Sequence, residues 1–157
     1  MKEKMTSNLD IKQVLYTQCA AFVEERFTKI QAQINEIQES LTSETKSSAG
    51  DKHETGRAML QLEREKVGQQ LAEIEKVKEN LSKIDVTITV DRIGLGSVVF
   101  TSQANYFIAI SAGQLKFNTD SFYAISPHTP IGLLLMGKKV NDILNFREQQ
   151  FVIKSVF

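Results

Sequence analysis

Cysteine, histidine and proline are scarce in this 157-residue sequence, and their scarcity excludes several kinds of site. The single cysteine, Cys19, cannot form a disulfide within the chain, and its place in an apolar stripe predicts a buried thiol. The two histidines lie far apart, so no cluster of cysteine and histidine has the spacing of a zinc site. Ser126 and His128 share one loop, a pairing more typical of a turn than of a catalytic pair. We therefore predict no cofactor bound by the isolated protein.

A net charge and a long apolar run are also absent. The chain carries 19 basic and 19 acidic side chains, so it is not an electrostatic binder of nucleic acid and would reach RNA or DNA only through a protein partner. The longest apolar run covers residues 131–136 and is too short to cross a bilayer. The charged start leads into no secretory signal. The sequence therefore predicts a cytoplasmic protein without a membrane partner.

The composition changes near Asp85. Before this residue there is no proline, and good helix formers (Glu, Gln, Lys, Ala and Leu) dominate. After it come both prolines and short runs of Val, Ile, Phe and Tyr, which are typical of strands. We therefore predict an α+β protein, with an antiparallel coiled-coil hairpin over residues 1–85 and a small β-sheet domain with a short helix over residues 86–157.

Two narrow apolar stripes define the predicted hairpin. The first helix is predicted to begin near Ser7, with Asp10 in its first turn. The polar stretch from Thr42 to Gly50 is predicted to be a loop, which places the tip near residues 43–54. About 33 residues per helix make a rod of roughly 50 Å. Its outer faces are predicted to be polar, with Lys12 among their residues, and the protein is predicted to be a monomer. The stripe residues are Ile11, Leu15, Cys19, Val23, Phe27, Ile30, Ile34, Ile37 and Leu41, then Leu60, Val67, Leu71, Ile74, Val77, Leu81 and Ile84.

The C-terminal part is predicted to form a small twisted sheet packed on one short helix. Pro130 is placed at the first position of this helix and Gly137 at its C-terminal cap. Turn residues separate most of the strands. The candidate strands are Ser97–Thr101, Asn105–Ile110, Gln114–Phe117, Phe122–Ile125, Asp142–Phe146 and Gln150–Val156.

Two carboxylates lie at the predicted tip, within the sequence Gly-Asp-Lys-His-Glu at residues 50–54. Asp51 followed three residues later by Glu54 is typical of a capping box, worth about 1 kcal/mol to the second helix. The same pair could supply oxygen ligands to a Mg²⁺ ion held mainly by a partner. The two interpretations are compatible, because a cap would pre-organise the pair. Three nearby basic residues would either pair with glutamates or contact a phosphate backbone: Lys52, Arg57 and Arg64.

These motifs resemble those of the Gre-type transcript cleavage factors of bacterial RNA polymerase. The tip motif of that family, Gly-Asp-x-x-Glu, is present at residues 50–54. The family's C-terminal pattern, Ser-Pro-[apolar]-Ala/Gly-x-x-Leu-[apolar]-Gly-Lys-x-x-Gly-Asp, is matched without a gap from Thr129 to Asp142, with Thr in place of Ser. The tip motif alone is weak. Both motifs in this order cover nearly the whole chain and make the resemblance more specific.

The resemblance implies a function in transcription elongation. An FKBP-like C-terminal domain would dock at the rim of the polymerase secondary channel through His128, Thr129 and Pro130, and the hairpin would thread the channel. Asp51 and Glu54 would then help to hold a second Mg²⁺ and orient the attacking water, with the three basic residues near the RNA 3′ end. The polymerase would hydrolyse the backtracked RNA, so the protein would stimulate RNA polymerase rather than act as an enzyme alone.

Some positions depart from the family pattern. The family often has an aromatic residue shortly after the tip Glu, whereas this chain has Thr55-Gly56-Arg57-Ala58. The Gly before Asp142 is replaced by Asn141, which tolerates a left-handed backbone and is expected to preserve the turn. His128 replaces an acidic residue seen in some members. Three alternatives therefore stay open: a channel-binding regulator that does not stimulate cleavage, a structural coiled-coil protein that pairs with another chain, and a prolyl isomerase.

Overall fold

The computed structural model of the chain describes residues 7–46 and 50–157, with side chains described except at residues 44–46 and 50–53. Two long helices come first, and a six-stranded mixed sheet with one short helix follows, so the α+β prediction is confirmed. The elements are α1 (Asn8–Lys46), α2 (Gly50–Ser82), β1 (Val98–Thr101), β2 (Asn105–Ile108), β3 (Gly113–Phe117), β4 (Asp120–Ile125), α3 (Pro130–Leu135), β5 (Ile143–Phe146) and β6 (Gln149–Val156).

Internal contacts divide the chain into two compact units. Unit 1 contains the chain up to Phe22 together with Glu79–Phe157, and unit 2 contains Val23–Lys78. The predicted boundary at residue 85 separates the helical part of the sequence from the β-rich part. The unit boundaries instead separate groups of residues that contact one another. The described start of α1 and the end of α2 therefore belong to the same unit as the sheet.

The start of α1 is fixed by a reciprocal pair of hydrogen bonds. The amide of Asp10 donates to Ser7 Oγ at 3.1 Å, and the amide of Ser7 donates to Asp10 Oδ2 at 3.3 Å. The side chains of Ser7 and Asp10 thereby accept from two amides of the helix start, and the Asp10 amide also lies 3.0 Å from the carbonyl oxygen of Ser7. The predicted cap at Ser7, with Asp10 in the first turn, is confirmed.

Within unit 2, α1 and α2 run antiparallel. Lys78 of α2 lies over the ring of Phe27 and 3.6 Å from the carboxylate of Glu24, whereas Arg57 near the other end of α2 donates to the carbonyl oxygen of Leu41. Residue numbers thus rise along one helix as they fall along the other. Both Lys78 and Glu24 are about half exposed, so their ion pair adds at most about 1 kcal/mol.

The predicted apolar stripes form the buried side of both helices. A period of three and four residues keeps these side chains on one face. Ile11, Phe27, Leu60, Leu71 and Val77 are only partly buried. Burial also raises the pKa of the Cys19 thiol to about 12, as expected for an inert core thiol. The buried stripe residues are Leu15, Cys19, Val23, Ile30, Ile34, Ile37, Leu41, Val67, Ile74, Leu81 and Ile84.

The predicted loop from Thr42 to Gly50 is too long. Helix α1 continues to Lys46, beyond the end of its apolar stripe at Leu41, and α2 begins at Gly50. Thr42, taken from sequence as a turn residue, donates its hydroxyl to the carbonyl oxygen of Gln38 at 3.0 Å. This bond within the helix satisfies the hydroxyl without a turn. Residues 47–49 lie outside the described part of the chain.

The structure contradicts the predicted place of Lys12 on the solvated outer face. Its side chain is only 2% exposed, and its ammonium donates to the carbonyl oxygen of Ile88 at 2.7 Å. Burial lowers the pKa of Lys12, and the nearby charge of Asp85 offsets part of that effect. The segment after α2 covers this lysine, a contact between distant parts of the sequence that helical periodicity does not reveal.

The lowered pKa of Lys12 has a consequence for stability. The unfolded chain binds the Lys12 proton more tightly than the folded chain does. The contribution of Lys12 to the free energy of unfolding therefore increases as pH rises toward 10.5. Wild type should therefore gain stability relative to Lys12→Met between neutral and alkaline pH. Urea unfolding of both proteins across this range measures the difference. A difference that is independent of pH would contradict the prediction.

The six-stranded sheet has the order β3-β4-β2-β1-β6-β5. The pair β2–β4 is parallel and the other neighbours are antiparallel. Each predicted strand is confirmed to within two residues at either end. Three of the non-glycine residues with positive φ lie in turns between consecutive strands: Asn118 between β3 and β4, and Arg147 and Glu148 between β5 and β6.

Both faces of the central strands are buried. Val98 and Val99 are adjacent in β1 and fully buried, and neighbouring strand residues point to opposite faces. On one face, Phe100 packs edge-on against Phe122 with 5.4 Å between ring centroids. On the other, a core cluster includes Leu135 of α3. The cluster residues are Ile93, Val99, Ile108, Leu135, Leu144, Phe151 and Ile153.

One edge of the sheet is contacted by a side chain of α1. The amide group of Gln18 donates to the carbonyl oxygen of Lys116 at 2.6 Å and accepts from the Lys116 amide at 3.1 Å. Lys116 belongs to β3, an outermost strand. Gln18 thus pairs with both backbone groups of one edge residue, as a neighbouring strand would.

Candidate functional site

The predicted tip motif, residues 50–54, forms the start of α2. Helix α2 begins at Gly50, so the backbone of Asp51 is inside the helix, whereas an N-cap residue would precede it. The capping box predicted from Asp51 does not fit these bounds. The side chains of Asp51, Lys52 and His53 lie outside the described residues. Glu54 is described, and its side chain is exposed.

Arg57 follows Glu54 by one helical turn and is tied to the opposite helix. One of its guanidinium nitrogens donates to the carbonyl oxygen of Leu41 at 3.3 Å, and the bond is partly buried. Arg57 was predicted to lie near RNA. The structure gives it a contact within the chain, a role that helical spacing could have suggested, because Arg57 precedes the first stripe residue Leu60 by three positions.

Arg64, the third predicted RNA-proximal residue, is partly buried on α2. Its guanidinium lies alongside Gly68, where a Cβ atom would meet Arg64 Nη1 at 3.2 Å. The side chain therefore runs along its own helix, as expected for residues four apart. Arg57 and Arg64 belong to the same unit as Glu54.

An open groove of about 270 Å³ lies beside α1 and α2, between residues 33–40 and 60–63. Its apolar lining comes from Ile37 and Leu60, both members of the stripes. The rest of its lining is polar and exposed, so the groove is a surface feature. The full lining is Gln33, Glu36, Ile37, Ser40, Leu60 and Glu63.

The predicted docking residues form the start of α3. Thr129 is the N-cap, and its hydroxyl accepts from the Gly132 amide at 3.1 Å while donating to the carbonyl oxygen of Ser126 at 2.8 Å. Pro130 occupies the start of the helix, as predicted. The structure brings His128, Thr129 and Pro130 together, with His128 and Pro130 exposed. Both hydrogen bonds of the Thr129 hydroxyl are made within the chain. This hydroxyl therefore stabilises the conformation of the segment.

Gly132 is a site residue that sequence reasoning missed. A Cβ at this position would clash with the carbonyl oxygen of Ser126 and lie 2.8 Å from Thr129 Oγ1. Only glycine lets the segment 126–129 approach α3 this closely. The pattern from Thr129 to Asp142 has Ala or Gly at this position, and this requirement for a small residue was the signal in the sequence.

Asn141, at the pattern position before Asp142, takes a left-handed backbone in the turn after α3. Asn141 adopts φ +79°, and its amide donates to the carbonyl oxygen of Ile153 at 2.8 Å. Gly137 has φ +82° and directly follows the C-cap residue Met136. The left-handed backbone predicted for Asn141 is confirmed. The C-cap of α3 is Met136, one residue before the predicted Gly137, and the Gly137 amide donates to the carbonyl oxygen of Ile93 at 2.8 Å instead of to the helix.

The site contains few groups that could hold a metal ion alone. Among residues whose side chains are described, no three Asp, Glu, His or Cys side chains cluster as metal ligands would. The exposed Glu54 carboxylate can offer oxygen to an ion that another molecule also holds. No helix within the described ranges is long and apolar enough to cross a membrane.

Comparison with known proteins gives no further assignment. No protein-family model matches the chain, and no curated protein matches it significantly. The resemblance to the Gre-type factors therefore depends on the motifs at residues 50–54 and 129–142 and on the order of the elements that carry them.

Proposed function

We propose that this chain is a transcription elongation factor that binds bacterial RNA polymerase at its secondary channel and stimulates cleavage of backtracked RNA. The observation that carries the proposal is the place of the Gly-Asp-x-x-Glu motif at the start of α2, the end at which α2 lies nearest in sequence to the antiparallel α1. The motif precedes the first stripe residue of α2, Leu60. The Glu54 side chain is exposed there and is available to a partner.

Asp51 and Glu54 are the proposed acidic pair. They would supply carboxylate oxygens to a Mg²⁺ ion held jointly with the polymerase. This ion would supply the charge that activates the attacking water. The exposure of Glu54 supports this role. The protein would not hydrolyse RNA alone, and it would meet nucleic acid only inside the polymerase, in the cytoplasm. The formal charge of zero agrees with a protein that depends on a protein partner for this encounter.

The C-terminal domain is proposed to be FKBP-like and to dock on the polymerase through His128, Thr129 and Pro130. Support comes from the exposure of His128 and Pro130 at the start of α3 and from the hydrogen bonds that hold this segment in one conformation. A segment held in one shape loses little conformational entropy on binding.

A cleavage assay on backtracked polymerase complexes tests the proposal. Radiolabelled complexes are incubated with Mg²⁺, with and without the protein, and short 3′ fragments are followed over time. We expect the protein to accelerate release of these fragments. Binding without faster cleavage would favour a regulator that occupies the channel, and failure to bind polymerase would reject the proposal.

A further inference from the structure

We propose that Arg57 is a positioning residue, which sets the place of the Glu54 carboxylate by fixing α2 against α1 one turn behind the tip. This inference rests on the function proposed above. It assigns Arg57 a structural partner instead of the RNA contact that the resemblance implies.

The first observation is the hydrogen bond between the helices. Arg57 donates to the carbonyl oxygen of Leu41 at 3.3 Å. Leu41 is the last stripe residue of α1 and is buried, and Arg57 is itself partly buried. A guanidinium is always charged and presents its donors in a rigid fork, so its direction is well defined at such a bond. The bond therefore holds α2 at Arg57 against α1 at Leu41.

The second observation is the partial burial of the seam next to this bond. Leu60, the first stripe residue of α2, is only partly buried, and it borders an open surface groove of about 270 Å³. Close packing normally fixes how two helices are placed against each other. Where a stripe residue is only partly buried, a polar contact at the seam between the helices can help to specify their register. Arg57 lies on the tip side of Leu60 and makes such a contact.

The third observation is the place of Glu54. It precedes Arg57 by three residues on the same helix, so the two side chains lie on neighbouring positions of one face. Any shift of α2 at Arg57 moves the backbone of Glu54 with it. Misplacing a catalytic group by about 1 Å can reduce a rate on the order of a hundredfold. The Arg57–Leu41 bond is therefore well placed to control the geometry of the tip.

Positioning and RNA contact predict different behaviour. A phosphate contact strengthens binding and makes it more dependent on salt, because cations around the RNA are released. A positioning contact leaves affinity and salt dependence unchanged. It alters how well the carboxylate meets the metal ion, which appears in the Mg²⁺ concentration needed for half-maximal cleavage.

The test uses the full chain in the backtracked-complex assay at saturating protein. Arg57→Met removes the donor but keeps the length of the side chain. We expect its cleavage rate to fall about tenfold and its half-saturating Mg²⁺ concentration to rise several-fold. Its affinity for polymerase and the salt dependence of that affinity should match wild type. Arg57→Lys keeps a donor and should recover most of the rate.

Lys66→Met is the matched control, since Lys66 is an exposed cation on the same helix and its loss changes the net charge equally. It should behave as wild type. A full cleavage rate for Arg57→Met would overturn the inference, as would a loss of affinity and salt dependence with an unchanged rate at saturation. If wild type itself fails to stimulate cleavage, the proposed function is rejected and this inference with it.

Discussion

Replacing Asp51 and Glu54 together with alanine is expected to return the rate of RNA cleavage to that of polymerase alone. On the proposed function these two side chains supply the carboxylate oxygens that complete the metal site, and the polymerase would have no substitute at that point. The loss should reach at least about a hundredfold, the usual effect of removing preorganised electrostatic stabilisation. Cleavage of a backtracked complex at saturating protein measures it.

Binding separates this result from a loss of folding or docking. The Asp51→Ala/Glu54→Ala protein should bind polymerase as wild type does, because the proposed docking residues lie in the C-terminal domain. Glu63→Ala is the matched control, since it removes a carboxylate from an exposed position on the same helix. Persistence of rapid cleavage in the double variant would sink the proposed mechanism.

Gly132→Ala is expected to destabilise the C-terminal domain and weaken polymerase binding. The added Cβ would clash with the carbonyl oxygen of Ser126 and crowd the hydroxyl of Thr129. Overpacking of this kind costs about 1–3 kcal/mol, and loss of the Thr129 cap costs about 1 kcal/mol more. Urea unfolding should show the lower stability. Polymerase affinity should fall as well, because His128 and Pro130 lie on the displaced segment.

Gly94→Ala provides the control for this effect. Gly94 has no atoms within 4 Å of an added Cβ and no positive φ. Its substitution should leave both the free energy of unfolding and polymerase affinity close to wild type. Equal stability of Gly132→Ala and Gly94→Ala would show that the close approach of residues 126–129 to α3 does not matter.

Local patterns predicted most of the elements. Apolar periodicity located both long helices, and alternation with turn residues located the six strands, because each depends on residues a few positions apart. Pro130 and Gly137 located α3 for the same reason. The end of α1 was misplaced, since the loss of the apolar stripe after Leu41 marks the end of burial and not the end of the helix.

Contacts between distant residues were not predictable. The burial of Lys12 depends on Ile88, which is 76 positions away, and the parallel pairing of β2 with β4 depends on how the chain crosses over. The sequence singled out residues 128–130, whose docking role stays a prediction, but it did not single out Gly132, whose importance depends on a close approach of the backbone. Arg57 was identified as basic and near the tip, yet its bond to Leu41 depends on the pairing of the helices.

The pairing of Gln18 with the backbone of Lys116 bears on how open the β3 edge is to other chains. Strand β3 forms one border of the sheet, and an unpaired border strand is a template on which other chains can add and aggregate. Gln18 engages both the carbonyl and the amide of Lys116 near the middle of that strand. An incoming strand would have to displace this side chain first. The α1 side chain thus occupies the backbone groups of Lys116 that an added strand would need for pairing.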